Sequence, residues 1–372
     1  MQPITGGARL SGVAEPVRFS RLATARALAL SAGLLCGACG GGGPAAPERP
    51  LPAYDFAPLT TLIQAALDTL EGADSAAIIL VQDGRVIYDR GFGGLSPDDD
   101  VLLASAAKWL SAAVVLTVVA GGALDLDQPM EGLLPREFHE GPGAGGGKGA
   151  ITTRQLLSLT SGIPSFDACV GQPDSTLEAC AVEIGSRSLA GPPGTVFVYS
   201  EAAFTVAGAA AEAASGQSWE AIFSRGLAGP LGLSRTRYTA GANPPLGDGA
   251  VSTVREYARF AAMIAAGGVH EGRRILPARL VAEMVADQSG GARVLFTPRD
   301  PAIRYGLGVW RDRVDTGGGA LQVSSPCAFG FVPWFDLERG LAGVIAAPPS
   351  IEVTFPLVLA VQARVREIVP SR

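Results

Sequence analysis

Between Leu102 and Ala120 the chain is almost wholly apolar, and the one charge inside that run is Lys108. A helix that is apolar all round belongs in an interior, so this stretch predicts a central buried helix. A buried cation is costly unless it is paired or loses its proton. Arginine cannot lose its proton in a protein, whereas lysine can. The choice stands out because, of 29 basic residues, only Lys108 and Lys148 are lysines. Lys148 lies in a glycine-rich stretch and reads as part of a solvated loop. Ser105 stands three residues before Lys108, on the same helix face. A serine served by an amine that can be neutral is the arrangement for a nucleophile. S-x-x-K is short, recurs by chance, and is also met by a lysine that snorkels its ammonium outward, so the pair needs context.

At 372 residues the chain accommodates one large domain or two lobes. The net charge is −6, and no arginine cluster forms a basic stripe, which speaks against a nucleic-acid partner. Arg18, Arg21 and Arg26 precede the apolar run Ala27 to Leu35, which is too short to span a bilayer and reads as an export signal. The segment Leu34-Leu35-Cys36-Gly37-Ala38-Cys39 resembles a bacterial lipoprotein signal, with Cys39 as the lipidated first residue. Cys36 stands where Leu, Val or Ile is usual, and the alternative is a plain secretory signal cut nearby. The expected organisation is therefore an export signal over 1–39 and a Gly/Pro-rich tether over 40–53. That places the protein in the cell envelope, touching the membrane only through an N-terminal lipid anchor. In such an oxidising compartment Cys169 and Cys180 are expected to form a disulfide, the alternative being two independent core cysteines. Cys327 has no evident partner.

Ala76 to Val81 and Val86 to Tyr88 flank Gln82-Asp83-Gly84-Arg85, a β-hairpin signal. Helical spacing marks Leu59 to Leu70, Thr153 to Leu159, Ala202 to Ala214, Trp219 to Leu227 and Thr253 to Ala266. Strand-like runs return at Gly306 to Arg311, Leu321 to Val323 and Leu341 to Ala346, and Leu357 to Ile368 reads as a closing helix. Strands at both ends with helices between predict an α+β fold: one sheet built from both chain ends plus an inserted helical lobe. The expected lobes are 54–100 with 300–372, and 101–299, with a site in the cleft between them.

Other chemistries fit poorly. His139 and His270 are the only histidines, and both contexts read as loops, which disfavours a Ser-His-Asp triad. No G-x-S-x-G elbow is present. No Cys/His cluster has metal-ligand spacing, so no metal or other cofactor is implied. Gly145-Gly146-Gly147-Lys148-Gly149 fails as a phosphate loop, because Pro142 replaces the first glycine and Gly149 the Ser/Thr.

Five segments then supply the missing context. They are Ser105-Ala106-Ala107-Lys108; Gly122-Ala123-Leu124-Asp125-Leu126-Asp127-Gln128-Pro129; Ile151 to Pro164; Pro193-Gly194-Thr195-Val196-Phe197-Val198-Tyr199-Ser200; and Tyr305-Gly306-Leu307-Gly308-Val309-Trp310. In this order they resemble the motifs of the serine β-lactamase and penicillin-binding-protein superfamily, in the branch of class C β-lactamases and related esterases. The resemblance runs from about Tyr54 to the C-terminus and implies a β-lactamase/transpeptidase-like serine hydrolase domain over 54–372.

It also implies roles. Ser105 would be the nucleophile, Lys108 would assist its deprotonation, and Tyr199 would be the second base and proton shuttle. The family's K-T-G strand would be Ser325-Pro326-Cys327, with Pro326 suited to an edge strand facing the cleft. The backbone N–H groups of Ser105 and Ala328 would form the oxyanion hole. Three residues depart from the pattern. Glu201 replaces the amide of Tyr-Ser-Asn, and either holds Lys108 cationic or turns to solvent. Ser325 replaces the basic residue that anchors a substrate carboxylate. Cys327 replaces a glycine and would narrow the strand edge. Leu159, where the family often has histidine, would only pack. The reading that results is an exported carboxylesterase acting on neutral esters through a Ser-Lys-Tyr acyl-enzyme. A β-lactamase or D,D-peptidase acting on an amide is one alternative. A catalytically silent envelope-binding lipoprotein is the other.

Overall fold

The hairpin expected at Gln82-Asp83-Gly84-Arg85 joins β1 (Ala76–Gln82) to β2 (Arg85–Phe92). Asp83 and Gly84 both take positive φ, the conformation whose twist matches the flanking strands. Five later strands extend the sheet: β3 (Arg304–Tyr305), β4 (Trp310–Val314), β5 (Ala320–Ser324), β6 (Phe331–Asp336) and β7 (Leu341–Ala346). The order is β3-β4-β5-β6-β7-β1-β2, with every neighbouring pair antiparallel. β1 thus zips against β7, Ile79 opposite Val344, and the sheet is α+β architecture assembled from both ends of the chain. The computed structural model describes residues 52–140, 147–239 and 241–372. The expected export signal, Cys39 and the tether up to residue 51 lie outside the described residues.

Every residue of β1 is buried. The two-residue period of a strand explains this. Ala77, Ile79 and Val81 enter one apolar core, and Ala76, Ile78 and Leu80 enter a second on the opposite face. The second core is closed by α1 (Ala57–Leu67), through Leu59 and Ile63, and by the last helix, through Val358 and Val361. The first faces the helical part of the chain, built on α2 (Ala107–Ala120), α3 (Leu177–Gly185), α4 (Ala202–Ser215) and α5 (Val254–Ala265). In α2 every residue except Thr117 and Ala120 is buried, as its uniform apolarity predicts. Burial of each large aliphatic side chain here stabilises the fold by about 1.5–3 kcal/mol. Among the described residues no helix is long and apolar enough to cross a membrane.

Several local expectations need correction. The run Gly306 to Arg311 is not one strand: Gly306 N–H bonds the Val309 carbonyl, and this turn separates β3 from β4. Periodicity does not reveal β6, because Pro333 argues against a central strand. Yet β6 lies between β5 and β7. Regular pairing with β5 ends at Ser324 opposite Trp334, but the Pro333 carbonyl still accepts the Ser325 N–H, so the proline forfeits only the reciprocal bond. The closing helix α6 spans Ile351–Ile368, six residues longer than the apolar pattern suggests. It is capped by Ser350, whose hydroxyl accepts the Val353 N–H, and runs through Pro356 at the cost of one backbone bond. His139 lies in a short helix, Arg136–Glu140, and His270 in a two-residue strand, not in loops. Lys148 is not solvated either: its side chain is buried at the start of a 3-10 turn, Lys148–Ala150, and burial lowers its pKa.

Cys169 and Cys180 are joined in a disulfide that ties the segment after Pro164 to α3. For a closure spanning 11 residues, restriction of the unfolded chain is worth about 3 kcal/mol. The double substitution Cys169→Ala/Cys180→Ala is therefore expected to lower unfolding stability by about that much. Urea unfolding of the two proteins measures it; coincident curves would mean the bridge adds nothing.

Candidate active site

Ser105 enters α2 through a strained turn. Ala104 has φ +37°, a region that L-residues other than glycine seldom occupy. Residues Ala104–Ala106 then form one 3-10 turn before α2 begins. Side chains from elsewhere hold the carbonyls of this turn. Ser325 donates its hydroxyl to the Ser105 carbonyl at 3.2 Å, and Tyr257 donates to the Ala106 carbonyl at 2.8 Å.

Lys108 is fully buried. Its Nζ donates to the Gly247 carbonyl at 2.9 Å and to Ser105 Oγ at 3.3 Å. Three residues further along α2, Ser111 donates to the Leu246 carbonyl at 2.7 Å. The helical repeat thus puts both side chains on one face, where they grip the same Leu246-Gly247 segment. Glu201 Oε1 lies 4.0 Å from Nζ, so this carboxylate faces the lysine instead of turning away. Gly247 makes room for it: a Cβ there would come within 3.0 Å of Glu201 Cα and Cγ.

Tyr199 follows the short strand Val196–Val198, which pairs in parallel with Arg293–Phe296. The Lys108 ammonium lies 4.6 Å from the centre of its ring, within cation–π range. The ring stacks on Trp310 with centroids 5.3 Å apart, and Tyr305 meets both rings edge-on. The glycines of Tyr305-Gly306-Leu307-Gly308-Val309-Trp310 make that approach possible. Gly308 has φ +78°, and a Cβ on it would lie 2.7 Å from the Lys108 carbonyl oxygen.

Ser325, Pro326 and Cys327 run on past the end of β5. Ser325 N–H bonds the Pro333 carbonyl and Cys327 N–H the Phe331 carbonyl. Strand alternation therefore turns the Pro326 nitrogen to the other side, where β4 has ended at Trp310. β5 itself lies between β4 and β6, but Pro326 occupies an extension that bonds only to β6 and is open on the side facing the cavity. The Cys327 side chain turns inward instead of narrowing the strand edge as expected. It is 1% exposed, and its sulfur accepts the N–H groups of Phe329 and Phe331; burial pushes its thiol up to about 11. Ala328, next in the chain, is exposed. Leu159 is buried with φ +63°.

Ser105, Tyr199, Glu201, Pro326, Cys327 and Ala328 line one cavity of about 740 Å³. Most of its remaining wall is apolar: Phe166, Phe296, Pro298, Ile303, Trp310 and Phe355. Arg299 also borders it, but its guanidinium is paired with Asp312 and lies over Trp310, 5.4 Å from the ring centre. The contributions of Gly247, Asp248, Ser111 and Tyr257 escape sequence reading. Gly247-Asp248-Gly249 signals only a turn, and nothing in it points to a lysine 139 residues away.

Burial raises the Glu201 carboxyl above its ordinary range; Lys108 opposes the shift and Asp248 adds to it. Asp248 is raised by burial too, again with Lys108 opposing. Two partly desolvated carboxylates therefore face one amine.

Comparison with known proteins finds relatives in both sequence and fold. The sequence pattern of the family described as "Beta-lactamase" matches residues 62–348. Protein flp of Staphylococcus aureus is 26% identical over 198 residues, covering 48% of this chain and 39% of that protein. Esterase EstB of Burkholderia gladioli is 32% identical over 180 residues, covering 42% of this chain and 45% of that protein. The chain thus spans less than half the length of these curated relatives. A crystal structure from Bacteroides dorei, provisionally assigned as a beta-lactamase, superposes with a TM-score of 0.71 at 32% identity, covering 83% of this chain and 99% of that one. EstCE1, described as a hydrolase with promiscuous acyltransferase activity, shares the fold, with a TM-score of 0.66 at 18% identity over 80% of this chain and 96% of that one.

The raised Asp248 carboxyl has a consequence for stability. The folded state holds its proton to higher pH than the unfolded chain, so stability falls as pH rises from the ordinary carboxylate range through the raised value. Asp248→Asn is expected to melt higher than the parent at neutral pH, with the difference vanishing below pH ~3, where both states are protonated. Thermal melts across pH check this; a pH-independent difference would assign the effect to packing instead.

Proposed function

Because the chain belongs to the beta-lactamase family, we propose that it is a serine hydrolase using Ser105, Lys108 and Tyr199, and that its substrates are neutral carboxylic esters. One observation carries the choice of substrate. The wall beside Ser105 is largely aromatic and aliphatic, while Ser325, at the position of the usual carboxylate anchor, directs its hydroxyl to the Ser105 carbonyl. Arg299, the cation on that wall, is already paired with Asp312. A substrate carboxylate would have to be desolvated there without a free partner.

In the proposed reaction Ser105 Oγ attacks the ester carbonyl as its proton passes to the Lys108–Tyr199 pair. The backbone N–H groups of Ser105 and Ala328 are the donors assigned to the developing oxyanion. Collapse of the tetrahedral intermediate expels the alcohol, which takes up the transferred proton, and leaves Ser105 acylated. Water then attacks the acyl group by the reverse proton path, releasing the acid and restoring the hydroxyl. The name of esterase EstB supports an esterase; the Bacteroides dorei structure favours β-lactam cleavage as the second reading. In either case the N-terminal pattern that resembles a lipoprotein signal assigns the protein to the cell envelope, anchored through Cys39.

The test is hydrolysis of p-nitrophenyl butyrate beside nitrocefin, with Ser105→Ala and Tyr199→Phe prepared identically. Ester hydrolysis is expected in the parent. Ser105→Ala should lower it by about four orders of magnitude or more, and Tyr199→Phe by about 10²–10⁴-fold. Nitrocefin turnover without ester turnover would replace the esterase reading with the second one. Failure on both, with Ser105 unlabelled by a fluorophosphonate, would point to a silent binding protein.

A further inference from the structure

Desolvation by itself would favour a neutral Lys108, but the surroundings of its Nζ argue otherwise. An ammonium group offers three donors and no acceptor. Here the Gly247 carbonyl lies at 2.9 Å, Ser105 Oγ at 3.3 Å and the Glu201 carboxylate at 4.0 Å. Asp248, on the loop that supplies the Gly247 carbonyl, adds a second carboxylate field, and Tyr199 turns its ring face to the ammonium. The arginine on the cavity wall, Arg299, is paired with Asp312. Glu201 also sits at the N-terminus of α4, as its N-cap, where a negative charge is favoured. The absence of a Gly247 side chain lets it approach.

We propose that Glu201 is a positioning residue that keeps Lys108 an ammonium ion, so that the lysine meets Ser105 as a fixed cation and hydrogen-bond donor. This rests on the Ser105 reading for its catalytic meaning, but not for its test. The chain contains two lysines, so protein grown on [ε-¹³C]lysine gives two Cε signals, and Lys148→Arg assigns them. The Lys108 signal is followed from about pH 6 to about pH 11 in the parent, in Glu201→Gln and in Glu201→Asn. In the parent it is expected to stay at the ammonium position through neutral pH. In both variants it should move to the amine position at a pH lower by about one unit or more. Two variants guard against one failing to fold, and the Lys148 signal reports folding in each.

A neutral Lys108 in the parent at neutral pH, or coincident midpoints in parent and variants, overturns the inference. The titration uses no substrate. A protein inactive on esters that shows the expected shift would sink the esterase reading alone. An active esterase with coincident midpoints would sink the role of Glu201 alone.

Discussion

A cation buried inside an apolar helix is the constraint around which this site is organised. Lys108 has no exposed surface, and an unpaired charge there would cost several kcal/mol. The fold meets that demand with groups from two remote segments, Tyr199 to Glu201 and Leu246 to Gly247. The Gly247 carbonyl accepts from the ammonium, the Glu201 carboxylate faces it, and the Tyr199 ring covers it. Each partner must be brought in by its own element. Much of the neighbouring packing does this: Ser111 anchors the Leu246 carbonyl, Trp310 backs the Tyr199 ring, and Gly308 lets the strand carrying Trp310 approach α2.

The sheet supplies the rigidity. Because β1 is buried on both faces, it cannot slip in register without moving apolar side chains from one core to the other. β5 and β6 are held in line with it through β7, and the Ser325–Cys327 extension of β5 therefore has a fixed place beside Ser105. Ser325 seals that junction through the Ser105 carbonyl. The same arrangement carries a stability cost. Glu201 and Asp248 are both shifted toward the neutral form by burial, the condition of groups kept where they are for reasons other than stability.

Much of the site was legible because its residues sit in short, contiguous motifs. Ser105 and Lys108 are one helical turn apart, so their juxtaposition follows from helix geometry alone. Tyr199 and Trp310 were marked by motif resemblance. The burial of Lys148 is not legible because a glycine-rich neighbourhood says nothing about what packs over it. The position of Cys327 was recognised but its orientation was not: the sulfur turns inward because the Phe329 and Phe331 N–H groups need an acceptor. β6 stayed hidden because Pro333 is disfavoured in a central strand, and the Ser325 N–H that its carbonyl accepts is brought there by tertiary packing.

By itself, then, the sequence determined the buried helix, the Ser105–Lys108 pair, the two-ended sheet and the candidacy of Tyr199. The first three follow from periodicity or from residues close in the chain, and the last from motif resemblance. Only the tertiary structure decided how the charge of Lys108 is met. Read alone, a lysine in an apolar helix has two ways to avoid the cost of burial, losing its proton or finding a partner. The partners are Glu201 and the Gly247 carbonyl, 93 and 139 residues away. Contacts at that separation come from packing, which no local pattern encodes.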